Sequence, residues 1–129
     1  MQDELSIGQK VTGIYKTGKY VGELIDINAN KGLGVLKVLG VLKHPLQGDL
    51  HHPNHTDVPL FHERKALSKF EKTNIPLSHL KAFHEEVPEY EKSLKQALKE
   101  QKLSLKEDES AWATKSLEAI ASLEKDYFK

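Results

Sequence analysis

Residues 34–67 read GVLKVLGVLKHPLQGDLHHPNHTDVPLFHERKAL: a strongly apolar run, a polar loop, then a second apolar run. Over residues 35–44, Leu36, Val38 and Leu42 fall on one face and Lys37 and Lys43 on the other. That alternation is the mark of a β-strand. Val35, Leu39 and Val41 make the second face half apolar, which predicts a strand covered on both sides. Gly40 interrupts the cleaner apolar face. A glycine there marks a bend, a bulge or the close approach of another segment, and bends of this kind curl a small sheet into a barrel.

The loop over residues 45–57 is too polar to be a buried element. Gly48 with Asp49 and Pro53 with Asn54 supply turn chemistry, because glycine permits positive φ and Asn and Asp bond back to the nearby backbone. Loops held by rigid strands carry a disproportionate share of binding residues. His44, Gln47, Asp49, Asp57, His62, Glu63 and Arg64 flank this connection, a density of unusual polar groups that a barrel core does not need. Together with Tyr15 and Tyr20 of the first hairpin, they are the candidate partner-binding residues.

The 129 residues suffice for one domain with a real core, or a small domain with an appendage. Basic and acidic side chains number 19 each, a balance that argues against a dedicated nucleic-acid binder. Residues 1–83 hold 11 basic and 8 acidic groups (+3), and residues 84–129 hold 8 and 11 (−3), consistent with two segments of different character. The chain has no cysteine, which excludes disulfides, thiol nucleophiles, thiolate zinc sites and Cys-linked lipid. Its start, MQDELSIGQ, lacks the basic and apolar parts of a signal peptide, and no apolar run approaches the roughly 20 residues that span a bilayer. A soluble cytoplasmic protein is the expectation.

Upstream of the opening stretch, residues 7–16 and 20–27 read as two strands joined by a hairpin turn at Lys16, Thr17, Gly18 and Lys19. Gly18 is expected at the position needing positive φ, and Tyr15 and Tyr20 flank the turn, placed to pair across it. After the loop, residues 58–64 read as an edge strand because of Pro59. Residues 66–71 read as a short strand ended by a turn at Thr73, Asn74, Ile75 and Pro76, and residues 77–83 as a segment closing the sheet. The sum is a small antiparallel barrel or sheet of SH3-like size over residues 1–84.

From Pro88 the period changes from two to 3.6. Tyr90, Leu94, Ala97, Leu98 and Gln101 fall on one stripe, apolar except for Gln101. Glu91 and Lys95 form an i,i+4 pair in the favourable order, worth about 0.3–0.5 kcal/mol. A break is expected at residues 104–107, and Asp108 or Ser110 can cap a second helix whose apolar face runs through Trp112, Ala113, Leu117, Ile120, Ala121 and Tyr127. Residues 85–129 are therefore expected to form a helical hairpin packed on, or extending from, the sheet, giving an α+β protein.

Five of the seven histidines lie within residues 44–62. His51 and His55 with Asp49 or Asp57 have the ligand types of a zinc or nickel site, but a proline-containing loop does not impose the spacing a helix would. A polar, solvated loop is the simpler reading, and no metal or cofactor is expected. No nucleophile elbow, phosphate loop or HExxH motif is present, so the chain reads as no enzyme. His62, Glu63, Arg64 and Lys65 form a charged cluster that suits either an acidic partner or a solvated strand edge.

VTGIYKTGKYVGEL (residues 11–24), LKHPLQGDL (42–50), DVPLFHERKAL (57–67) and SLEKDYF (122–128) resemble the kinase-associated protein B family of spore-forming bacteria across nearly the whole chain. The resemblance implies an SH3-like barrel or sheet with a helical extension. It also implies activation of a sensor histidine kinase feeding the sporulation phosphorelay, and a place at the inner face of the membrane only through that partner. It supplies no catalytic residues. Such an activator need only bind one kinase conformation better than the other. The alternative is an SH3-like or Tudor-like module binding peptide or nucleic acid, with Tyr15 and Tyr20 as its only clustered tyrosines.

Overall fold

The computed structural model describes residues 5–47 and 63–128. Strands β1 (Lys10–Tyr15), β2 (Gly18–Asn28) and β3 (Leu33–Lys43) form a continuous antiparallel meander. Strand β4 (Lys72–Pro76) pairs with β3, a 3₁₀ turn (Leu77–His79) follows, and β5 (Leu80–Ala82) pairs with β1. The sheet order is β4-β3-β2-β1-β5. Helices α1 (Tyr90–Glu107) and α2 (Ala111–Tyr127) complete an α+β fold with a C-terminal helical hairpin.

The sheet curls without closing, since β4 and β5 are its two edges. The curl brings Ile75 of β4 and Leu80 of β5 over β1: a Cβ on Gly13 would lie 2.8 Å from Ile75 Cδ1 and 2.9 Å from Leu80 Cδ2. Glycine at this position is what lets the two edges fold inward over one core. That core includes Val11, Tyr20, Leu24, Leu36, Val38, Ile75 and Leu80, and runs on into Leu94, Leu98, Leu105, Ala113 and Ile120 of the helices.

Strand β3 carries the change of direction predicted at Gly40. Val21 pairs with Gly40 but Gly22 pairs with Val38, and Tyr20 pairs with Val41 but Lys19 with Lys43. Leu39 and Leu42 are thus extra residues in β3, and the alternation shifts: Leu36 and Val38 are buried as expected, yet Val41 is buried and Leu42 only half-buried. The bulges free the Val41 N–H, which donates to Ser93 Oγ of α1 at 2.9 Å. A Cβ on Gly40 would lie 3.2 Å from Pro88 and 3.3 Å from Ser93 Oγ, so the glycine admits the start of α1.

Several expectations are corrected. The residues read as a turn, Thr73, Asn74, Ile75 and Pro76, belong to β4 and pair with Leu36, Val35, Gly34 and Leu33. Their turn-forming preference is overridden because an edge strand tolerates proline and Ile75 is driven into the core. The expected strand over residues 66–71 is absent; a turn sits there, with Ser68 O accepting from Glu71 N–H at 3.0 Å. In the first hairpin the positive φ angles fall on Lys16 (45°) and Thr17 (72°), not on Gly18. Pairing of Tyr15 with Gly18 leaves a two-residue loop, which needs positive φ at both central positions. Gly18 is required instead because a Cβ would meet Tyr20 Oη at 2.5 Å.

Helix α1 runs past the expected break to Glu107. Leu105 continues the stripe of Leu94 and Leu98 and is buried with them. The break falls after it, and Ser110 caps α2 by accepting from Ala113 N–H at 3.1 Å. On α2 the buried residues are Ala113, Ser116, Ala119, Ile120 and Leu123. Ala121, expected on that face, is exposed, because the contact stripe is rotated toward the small residues Ser116 and Ala119.

Candidate functional site

The chain leaves β3 through His44 and Pro45 into a buried polar knot. His44 is 1% exposed. Its Nδ1 lies 3.0 Å from both Pro45 O and Gln101 Oε1, and its Nε2 lies 3.0 Å from Tyr127 Oη. Two oxygen acceptors face Nδ1, so Nδ1 carries the proton. Tyr127 Oη accepts from Ala66 N–H at 2.8 Å and donates its own proton to Nε2. Donor and acceptor counting therefore assigns the neutral Nδ1–H tautomer, and burial lowers the His44 pKa in the same sense.

Gln47 performs the second part of the knot. Its side-chain amide accepts from Arg64 N–H at 2.8 Å and donates to Arg64 O and Pro45 O, each at 3.0 Å. The amide imitates a strand partner for the Arg64 backbone and pins residues 47 and 64 together. Trp112 Nε1–H donates to Gln47 O at 3.2 Å, and Gln101 Nε2 donates to Pro45 O at 3.0 Å. Leu67 is held from two sides: its N–H donates to Tyr20 Oη at 3.3 Å and its carbonyl accepts from the Tyr90 hydroxyl. Burial raises the pKa of Tyr20, of Tyr127 and of Tyr90, the last to about 12, so all three hydroxyls are protonated at neutral pH.

Beside this knot opens a groove of about 460 Å³. Leu42, Leu46, Ala97, Leu105 and Trp112 give it an apolar lining. The strand side adds Lys19 and Lys43, and the helix side adds Glu100 and Asp108. Lys19 and Lys43 are direct cross-strand neighbours, a like-charge arrangement that costs stability. Among the described residues neither takes part in an ion pair. Ser110 holds the Asp108 carboxyl below the usual carboxylate range by donating its backbone N–H at 2.8 Å.

Of the residues singled out in the sequence, the structure brings together His44, Gln47 and Arg64. It uses the first two as buried cross-links and ties Arg64 in through its backbone. Glu63 is exposed. Tyr15 and Tyr20 do not pair across the hairpin: the register sets Tyr15 against Gly18 and Tyr20 against Gly13. Tyr20 points into the core at 1% exposure, while Tyr15 is half-buried with Lys16 Nζ 5.4 Å from its ring. Asp49, Asp57 and His62, like His51, His52 and His55, lie outside the described residues, among which no group of three or more His, Asp or Glu is placed to hold a metal ion. The residues missed are Tyr90, Gln101, Trp112 and Tyr127 as knot members. One signal was available, since Gln101 is the single polar residue on the stripe of α1 and is the one that reaches His44.

Residues 15–128 match the family described as Kinase associated protein B. The chain belongs to this family. It is 50% identical over 121 residues to the kinase-associated lipoprotein B of Bacillus subtilis (strain 168), covering 94% of this chain and 93% of that protein. The crystal structure of kinase-associated protein B from Bacillus cereus superposes with a TM-score of 0.80 at 44% identity, covering 96% of this chain and 98% of that one. Among the described residues no helix is long and apolar enough to cross a membrane.

Proposed function

We propose that this member of the kinase-associated protein B family is a non-catalytic regulator that binds and activates a sensor histidine kinase feeding the sporulation phosphorelay. It would act in the cytoplasm, reaching the membrane's inner face through that kinase. The observation that carries the reading is the groove. Its apolar lining between Lys19 and Lys43 on one side and Glu100 and Asp108 on the other fits a protein segment bearing an apolar face with charges of both signs. The uncompensated Lys19–Lys43 neighbours gain from an acidic partner what they lose in the free protein. The His44 knot beneath is built from side chains already bonded to one another, which presents the groove pre-organised and lowers the ordering cost of binding. The family's description as kinase-associated supports a kinase as the partner. Gln47 and Arg64 are joined at the knot, and Asp49, Asp57, His62 and Glu63, which lie between them in the sequence, are proposed as partner contacts.

A kinase activator of this kind binds the active conformation more tightly than the inactive one, and that difference in affinity sets the shift in population. The test is autophosphorylation of the purified cytoplasmic region of a sporulation sensor kinase from the same bacterium, with and without this protein. Stimulation by the wild type, and its loss in Lys43→Glu and Glu100→Lys variants of unchanged fold, is the expected result. A wild-type protein that neither binds nor stimulates such kinases refutes the reading.

A further inference from the structure

A second surface stands apart from the groove, on the turn between the knot and β4. Ser68 O accepts from Glu71 N–H at 3.0 Å, closing a four-residue turn with Lys69 and Phe70 at its centre. Phe70 has φ of 69°, at the turn position usually given to glycine or asparagine because a Cβ is strained there. The turn is locked to β3: Phe70 N–H donates to Val38 O at 2.7 Å, and Val38 N–H donates to Glu71 O at 2.9 Å. Nothing in the core repays the strain, since the Phe70 side chain stays 51% exposed. The ammonium groups of Lys37 and Lys69 lie 4.9 and 5.0 Å from the ring centroid, and Lys37 faces Lys72 directly across the β3–β4 pair. Among the described residues none of these three lysines takes part in an ion pair. Glu71, the one acidic residue of the turn, is occupied in accepting from Ser68 N–H at 2.8 Å.

We infer that Phe70, with Lys37, Lys69 and Lys72 around it, is an anchor that docks into an apolar pocket rimmed by carboxylates on the partner protein. The inference rests on the reading of the protein as a kinase-binding regulator and adds a second contact to it. Three features select this occupant. Aromatic side chains, Phe among them, are enriched at protein interfaces and supply many of their energetic centres. The clustered like charges, repulsive in the free protein, are neutralised by an acidic rim. A strained, rigid backbone is useful for fitting a shaped pocket, whereas an anionic lipid surface requires only basic charge and apolar area.

The test compares the wild type with Phe70→Gly and with the double variant Lys69→Glu/Lys72→Glu for binding to the kinase cytoplasmic region by calorimetry. Thermal melting is run alongside. Glycine relieves the positive φ, so Phe70→Gly is expected to melt no lower than the wild type while binding about tenfold or more weakly. The double variant keeps Phe70 and is expected to lose a similar factor together with much of the salt dependence. Both variants binding as tightly as a binding-competent wild type would overturn the inference and leave the functional reading intact. A wild type that does not bind the kinase at all would overturn both. Retained kinase binding with loss of binding to phosphatidylglycerol-containing vesicles would make the patch a membrane contact instead, and would also overturn it.

Discussion

The hydroxyl of Tyr127 stands between Nε2 of His44 at 3.0 Å and the amide of Ala66 at 2.8 Å. The last turn of α2 thereby holds the end of β3 and the chain returning toward β4 at one atom. Tyr127→Phe keeps the ring and removes that atom. It leaves two polar groups of buried residues, His44 Nε2 and the Ala66 N–H, unpartnered, at about 1–3 kcal/mol each, and the melting temperature is expected to fall by at least about 4 °C. An unchanged melt, followed by circular dichroism, would show that the hydroxyl does not hold the knot.

His44 makes stability depend on pH with a definite sign. Burial is the largest cause lowering its pKa from the ordinary 6.5. Below 6.5 the unfolded chain takes up a proton that the folded chain refuses, until the depressed native value is reached. The contribution is therefore complete above pH 6.5 and is lost progressively as the pH falls through that window. The groups facing the ring are Tyr127, Gln101 and the Pro45 carbonyl, with Glu124 acting at longer range. Urea titrations at a series of pH values should show a steeper loss for the wild type than for His44→Gln. Parallel curves would place the titrating group elsewhere.

Two glycines of the central strands should respond differently to alanine. A Cβ on Gly22 would run into the carbonyl oxygen of Lys37 in the neighbouring strand backbone, which cannot yield without unpairing β2 from β3. At Gly40 the same Cβ meets side-chain atoms of Val21, Pro88 and Ser93 at 3.1–3.3 Å. Gly40→Ala is expected to cost about 1–3 kcal/mol, and Gly22→Ala more than about 4 kcal/mol or the fold itself. Equal midpoints in guanidinium would contradict the register described for these strands.

The face of α2 can be checked with neighbouring residues. Ile120 is fully buried and Ala121 is exposed. Ile120→Ala is expected to cost about 2–5 kcal/mol, and Ala121→Lys less than about 0.5 kcal/mol. A large loss from Ala121→Lys would return the helix to the orientation expected from its sequence alone.

That His44, Gln47 and Arg64 gather at one place was legible in the sequence, and what their side chains do there was not. His44, Gln47 and Arg64 drew notice as polar residues crowded at a loop, and they do meet. Gln47 and His44, however, face inward: His44 bonds Gln101 and Tyr127, more than 55 positions away in the chain, and the Gln47 amide bonds the backbone of Arg64 and Pro45. Sequence spacing cannot say which polar residue finds a buried partner. Nor could it separate Tyr20, which closes the core, from Tyr15, which is half-buried beside it.

By itself the sequence determined the meander of β1, β2 and β3, the helical hairpin with Asp108 or Ser110 as cap, and kinship with the kinase-associated protein B family. The strands and helices follow from local alternation and turn chemistry, which act over neighbouring residues, and the kinship follows from similarity along nearly the whole chain. Only the tertiary structure decided that Leu42 leaves the core while Val41 enters it, that Thr73, Asn74, Ile75 and Pro76 form a strand, and that Gln101 and Tyr127 meet at His44. Those outcomes depend on strand register, where one extra residue exchanges the two faces, and on contacts between distant segments, which exist only once the sheet has curled and the helices have packed.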